Sequence, residues 1–253
     1  MLLTIDIGNT NIHLGLFFDN KLLHEYRIDT EKKWDYLFFQ IEIEKFLEQN
    51  NFNKKDISGI IMASVVPEID ERFFKACQKI NTKTTYLDNH SLEKLININI
   101  RNKDEVGIDR LINAIYANNL YGSDLIIIDF GTATTFDIIG NNLQYLGGVI
   151  VPGINLSLKA LSDFTSKLPK IIPHKQPYVI GKSTIEAMNS GVYYGHISLI
   201  NGLNQKIMTE YGKKMKIIAT GGLSTIFADQ IDNLEKIEKN LTLEGLNFIY
   251  QII

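Results

Sequence analysis

Short apolar runs, each cut off by Gly, Asn or Asp, open the chain. Leu2 to Ile7 stops at Gly8-Asn9-Thr10, Ile12 to Phe18 stops at Asp19-Asn20, and Leu22 to Ile28 follows, so three strands joined by tight turns are predicted. The spacing then changes to a helical one. Trp34, Leu37, Phe38, Ile41 and Phe46, with Glu42, Glu44 and Lys45 between them, predict a helix over 34–46. Ile57 to Val66 reads as a buried strand stopped by Pro67, and Pro67 to Ile80 as a second helix.

The second half restarts the same order. Leu125 to Gly131 is a strand ending in Asp-x-Gly, Ala133 to Ile139 is the next, Gly140-Asn141-Asn142 turns, Leu143 to Val151 is the third, and a helix covers Ile154 to Leu161. Ile5-Asp6-Ile7-Gly8-Asn9-Thr10 aligns with Ile128-Asp129-Phe130-Gly131-Thr132-Ala133 without a gap at an offset of 123. Two copies of a long unit are an internal duplication, not a solenoid. The offset is close to half of 253 residues, so two domains are expected, 1–122 and 123–253. Further on, a helix runs from Thr184 to about Tyr211, Lys216 to Thr220 is a strand ending in Gly221-Gly222, and a helix closes the chain from Leu241. Pro173 to Pro177 is the one segment expected to be a flexible loop.

Composition sharpens this only by exclusion. At 45% hydrophobic and 22% charged the chain is globular, neither disordered nor a disulfide scaffold. The 26 basic and 29 acidic residues leave a net charge of −3, without the basic footprint of a nucleic-acid binder. No apolar run approaches the roughly 18 residues of a membrane span. The N-terminus starts a strand at once, with no cationic signal region, so no membrane partner and a cytoplasmic location are expected. The single cysteine, Cys77, reads as a small buried apolar residue.

The candidate chemistry lies in the turns. An Asp at a strand end followed by glycine leaves amides and hydroxyls open to phosphate oxygens, and the carboxylate can hold a hydrated cation. One such hairpin alone is an ordinary turn; two, plus Thr220-Gly221-Gly222 with its bare backbone, favour a polyphosphate. Gly107-Ile108-Asp109-Arg110 precedes a helix over Leu111 to Leu120. There Asp109 is either a helix-start cap or a base for a hydroxyl, beside a cation suited to carboxylate or phosphate. Gly181-Lys182-Ser183 fails as a Walker A loop because Gln176 stands where the first glycine is required. No Gly-x-Gly-x-x-Gly is present. The histidines, His13, His24, His90, His174 and His196, share no metal-ligand spacing, and Lys167, Lys170 and Lys175 form a solvated loop.

Taken together, Asp6-Ile-Gly-Asn-Thr10, Gly107-Ile-Asp-Arg110, Asp129-Phe-Gly-Thr-Ala-Thr-Thr135, Gly147-Gly-Val-Ile-Val-Pro-Gly153, Gly181-Lys-Ser-Thr184, Thr220-Gly-Gly222 and Leu241-Thr-Leu-Glu-Gly-Leu246 resemble type III pantothenate kinase. The resemblance implies duplicated actin-like, ribonuclease H-like ATPase domains, each a mixed sheet flanked by helices, with the active site in the cleft between them. It implies transfer of the ATP γ-phosphate to pantothenate, the first step of coenzyme A synthesis. By the same resemblance, Asp6, Ile7, Gly8, Asn9, Thr10, Asn11, Ile12 and His13 would hold the nucleotide phosphates, with Asp6 near Mg²⁺ or another divalent cation. Thr132, Gly221 and Gly222 would contact ATP. Asp109 would be the base, Gly107, Ile108, Asp109, Arg110 and Thr184 would bind pantothenate, and Asp129 would bind K⁺, with NH4⁺ an alternative. The family is homodimeric. One departure stands out: Ile100 occupies the place of the family's pantothenate-contacting tyrosine. A same-fold kinase for another small acceptor and a non-catalytic nucleotide-binding regulator remain as alternative readings.

Overall fold

The computed structural model describes residues 1–253 as two compact units, Met1–Asn119 with Leu241–Ile253, and Leu120–Asn240. The first unit begins with β1 (Leu2–Ile7), β2 (Asn11–Phe18) and β3 (Lys21–Asp29). They are antiparallel hairpins with Ile7 opposite Ile12 and Asn11 opposite Asp29. Helix α1 (Tyr36–Gln49), β4 (Gly59–Ser64), α2 (Pro67–Ile80), β5 (Thr84–Tyr86), α3 (Asn89–Leu92), β6 (Asn97–Ile98) and α4 (Ile108–Tyr121) follow. The sheet order is β3-β2-β1-β4-β5, with β4 parallel to β1 and β5 parallel to β4.

The second unit contains β7 (Leu125–Phe130), β8 (Ala133–Gly140), β9 (Gln144–Pro152), α5 (Ile154–Asp163), α6 (Thr184–Tyr211), β10 (Lys216–Thr220), α7 (Ser224–Phe227) and β11 (Leu234–Ile237). Its strands run β9-β8-β7-β10-β11, and β10 lies parallel to both β7 and β11. Strand for strand, this is the order of the first unit: three consecutive antiparallel strands, then two parallel strands reached by helical crossovers. The duplication expected from the aligned Asp-x-Gly hairpins is thus present in the topology.

Each sheet is built on alternation. Leu3, Ile5 and Ile7 point into a core with Phe39, Ile43, Phe46 and Phe73 of α1 and α2. In the second unit, Ile126, Ile128 and Phe130 meet Leu158, Tyr193, Ile200 and Phe227 from α5 to α7. Cys77 is fully buried in the first of these cores, and burial pushes its thiol upward.

Four expectations are corrected. The closing helix α8 (Leu241–Ile252) belongs to the first unit, not to a domain 123–253. Its fully buried Leu241, Leu243 and Leu246 supply apolar cover, and Gly15 of β2 and Gly59 of β4 leave room for Leu243 and Tyr250 respectively. Helix α1 starts two residues later than Trp34, because the Asp35 side chain caps it through Phe38 N–H at 2.9 Å. Leu143, expected as the first strand residue, is the last turn residue, with φ 52°. Pro173 to Pro177, expected to be loose, is tied to α6: Gln176 is buried, and its carbonyl accepts from Tyr194 Oη at 2.8 Å.

Candidate active site

In the first unit the Asp6 to His13 segment is one hairpin. Gly8 N–H donates to Asn11 O at 3.0 Å, which closes the turn and leaves Asn9 and Thr10 exposed. A second strap comes from Thr30, just beyond β3: its hydroxyl donates to Gly8 O at 2.7 Å and its N–H to Thr10 O at 2.8 Å. Ile7 and Ile12 face the core and offer a ligand only their backbone. Asp6 pairs with His13 across the ladder. His13 is buried and bonded to Glu25 at 3.0 Å. Desolvation, aided by the Arg27 charge and opposed by Glu25, lowers its pKa to about 4, so the ring is neutral at neutral pH.

Parallel pairing then gathers the residues expected to bind the acceptor. Asp6 lies beside Ala63, Ile7 beside Ser64, and Val65 N–H donates to Ile7 O at 3.0 Å. A side chain on Gly107 would run into Asp109 Oδ1 and lie 3.6 Å from Val65, so Gly107 and the Asp109 carboxylate sit against this end of β4. Strand order therefore brings Asp109 to the sheet end that holds Asp6.

Asp109 is in the first turn of α4, and its Oδ1 accepts from Arg110 N–H at 2.9 Å. An N-cap would instead take the N–H two or three residues on, so the capping role does not describe it. Burial raises its pKa, against the lowering effects of that bond and of the Arg110 guanidinium. Arg110 is half-buried, and Ile108 packs inward. The approach to Gly107 is held by Asn89, whose Nδ2 donates to Val106 O at 2.8 Å and Lys103 O at 3.3 Å. Ile100 is half-buried in the preceding segment.

In the second unit, Asp129 pairs with Thr135 on one side and Thr220 on the other, so three neighbouring strands bring these residues together. Gly221 has φ 88°, and a Cβ there would lie 2.5 Å from Asp129 Oδ1 and 2.7 Å from Phe130 N. Glycine is thus required both for the left-handed turn and for the approach of the carboxylate. Gly153 N–H donates to Thr132 O at 3.1 Å, and its missing side chain admits the Gly131 and Thr132 carbonyls. Gly222 faces open space.

Thr184 is on a different segment, exposed at the head of α6. Lys182 N–H donates to Glu186 Oε2 at 2.6 Å and the Ser183 hydroxyl accepts from Glu186 N–H at 3.2 Å. Gly181-Lys182-Ser183 is therefore a reciprocal helix cap, which is why it mimics a Walker A ending without being one. Thr30, Asn89 and Val65 are additions from the structure. Each lies some 15 or more residues from the motif it touches, and nothing in local spacing marks them.

Two sheets of matching strand order, each with an Asp near the end of its first strand and a glycine turn beyond it, define a duplicated actin-like, ribonuclease H-like fold. The chain superposes on a Campylobacter jejuni protein described as a Baf family transcriptional activator, with TM-score 0.60, 22% identity, and 99% and 98% of the two chains covered. A Sinorhizobium meliloti protein described as a 2-dehydro-3-deoxygalactonokinase gives TM-score 0.58 at 11% identity, covering 100% and 97%. At such identities the likeness is one of fold. Sequence relationship is closer to home: residues 2–206 match the family model for type III pantothenate kinase. A type III pantothenate kinase of Brevibacillus brevis is 37% identical over 99% of this chain and 98% of its own length. One from Desulforapulum autotrophicum is 40% identical over 98% and 96%. The chain belongs to the type III pantothenate kinase family.

Proposed function

We propose that the protein transfers the γ-phosphate of ATP to the primary hydroxyl of pantothenate, forming 4'-phosphopantothenate for coenzyme A synthesis. The observation that carries this reading, beside family membership, is Asp109: a carboxylate raised in pKa by burial, at the same sheet end as Asp6. Phosphoryl transfer needs a positioned hydroxyl, a base within reach of its proton, and donors around the phosphate charge. Asp109 accepts the hydroxyl proton as the new O–P bond forms and the bond from the γ-phosphorus to the β–γ bridging oxygen breaks, releasing ADP, and its raised pKa improves the match between base and hydroxyl. Arg110 steadies the carboxylate of pantothenate or the transferred phosphate. Gly107 and Ile108 line the acceptor with backbone, Thr184 adds a hydroxyl, and Ile100 an apolar contact.

The amides and side chains of Asn9 to Asn11 bind the phosphates, the Thr132 hydroxyl contacts the nucleotide, and Gly221 and Gly222 accommodate its adenosine end. The chain has no group of three His, Cys, Asp or Glu side chains arranged to hold a metal. Asp6 would hold a divalent ion that comes with the nucleotide. When bound, Mg²⁺ neutralises phosphate charge. The Asp129 carboxylate, set against the bare Gly131 and Gly221 backbone, suits a monovalent cation such as K⁺ or NH4⁺. The protein acts as a homodimer. No helix is long and apolar enough to cross a membrane.

The test is phosphorylation of pantothenate with and without ATP and K⁺, beside the Asp109→Asn variant. Turnover that depends on both and collapses in the variant supports the reading. Turnover on other acceptors but not pantothenate would replace the substrate, and undiminished turnover in the variant would remove Asp109 as the base.

A further inference from the structure

We propose that Thr30 is a positioning residue for the nucleotide: its hydroxyl and N–H together hold the Gly8-Asn9-Thr10 turn in the form that presents its amides to phosphate. The inference rests on the nucleotide reading of that turn. Thr30 is the first residue beyond β3, half-buried, and it reaches back to both ends of the turn at once, from Oγ1 to Gly8 O at 2.7 Å and from N–H to Thr10 O at 2.8 Å. With Gly8 N–H closing onto Asn11 O at 3.0 Å, the Gly8 and Thr10 carbonyls and the Gly8 amide are committed within the protein. Asn9, at the tip of the turn, is exposed between these two anchored carbonyls.

The duplication supplies a second, independent observation. Thr30 and Gly153 stand at the same offset of 123 that relates Asp6 to Asp129, and each follows the third strand of its unit. Gly153 makes the matching backbone strap, N–H to Thr132 O at 3.1 Å. A Cβ at Gly153 would collide with the Thr132 and Gly131 carbonyls, so that hairpin has no room for a side-chain strap. The first-unit turn opens enough to admit one, and it is filled by a hydroxyl whose partner, Gly8 O, is the counterpart of Gly131 O. The β-branched shape of Thr restricts the hydroxyl to few rotamers, which reduces the ordering cost of the strap.

The experiment compares Thr30→Val, which keeps the shape and loses the hydroxyl, with Thr30→Ser, which keeps the hydroxyl. Mg²⁺-bound non-hydrolysable ATP analogue is titrated by calorimetry without acceptor, KM is measured for ATP and pantothenate, and thermal melting is followed. Thr30→Val is expected to weaken analogue binding and raise the ATP KM about three- to tenfold, the loss of one net hydrogen bond. The pantothenate KM stays within about twofold, and Thr30→Ser recovers most of the loss. Unchanged nucleotide binding in Thr30→Val, an equal rise in both KM values, or a Thr30→Ser variant no better than Thr30→Val overturns the assignment. A wild-type chain that binds the analogue without phosphorylating pantothenate defeats the acceptor reading and leaves the Thr30 comparison intact. A wild-type chain that does not bind the analogue overturns both.

Discussion

In the proposed role as base, Asp109 couples catalysis and stability through one carboxyl. Its pKa is raised by burial, so the folded protein binds that proton more tightly than the unfolded chain does. The stabilisation is fully present below the ordinary carboxylate pKa and is lost as pH rises through the raised value. At neutral pH the ionised group therefore costs stability, and Asp109→Asn should lower kcat by at least about a hundredfold while holding or raising the melting temperature. The wild-type rate should fall on its acid side at a pH above the ordinary carboxylate range, near 4, and the residual rate of the variant should lack that limb. His13 has the opposite sign, because its folded pKa of about 4 lies below the ordinary imidazole value of 6.5. Its contribution is present above pH 6.5 and is lost as pH falls toward 4, a window in which denaturant melts should show a loss of up to about 3 kcal/mol that His13→Gln abolishes. Residue types and motif spacing point to Asp109 and His13 in the sequence. Neither pKa is legible there, since burial and the Glu25 and Arg27 neighbours come from packing.

Helices test how far local chemistry determines elements. Both ends of α6 can be read directly: Ser183 and Glu186 form the cap, and Gly212 at φ 86° ends it. Helix α1 shows a finer rule. Trp34 fits the apolar period yet stays outside, where its ring meets Phe39 edge-on at 6.1 Å across the Asp35 cap, as a hydrophobic staple does. Glycines inside helices separate propensity from packing. At Gly245 of α8 an added Cβ would lie 2.7 Å from Ile112 Cγ2 and 3.2 Å from Tyr116 Cβ, whereas at Gly202 of α6 it would meet nothing within 4 Å. Alanine gains about 0.5–1 kcal/mol of helix propensity at both, and overpacking costs about 1–3 kcal/mol at the first alone. Chemical denaturation should show Gly202→Ala stabilised and Gly245→Ala destabilised by on the order of 1 kcal/mol. Helical period cannot distinguish the two positions, because the neighbours that do lie on α4.

On the scale of the molecule, α8 returns to complete the first unit. Leu241, Leu243, Leu246 and Ile249 are all fully buried. Burial of each contributes about 1.5–3 kcal/mol, which together rivals the 5–15 kcal/mol that holds an ordinary domain folded. Deletion of 241–253 should therefore give an aggregating chain without a cooperative melt, as circular dichroism and solubility would show. Sedimentation of the whole protein should give a particle of about twice 28.8 kDa if the homodimer forms. The net charge of −3 also gains a meaning, since the phosphate-binding candidates are turn amides and hydroxyls, not a basic surface. By itself the sequence missed the short strands β5, β6 and β11 but determined the eight longer strands, the duplication, the ends of the long helix and the motifs that mark the family. Those depend on side-chain period, glycine, capping and spacing within a few residues. Only the tertiary structure decided that α8 leaves the second half, that Thr30 and Asn89 brace the motif turns, and that Asp109 is raised in pKa. Each of these depends on strand order and burial, which bring together residues that no local period connects.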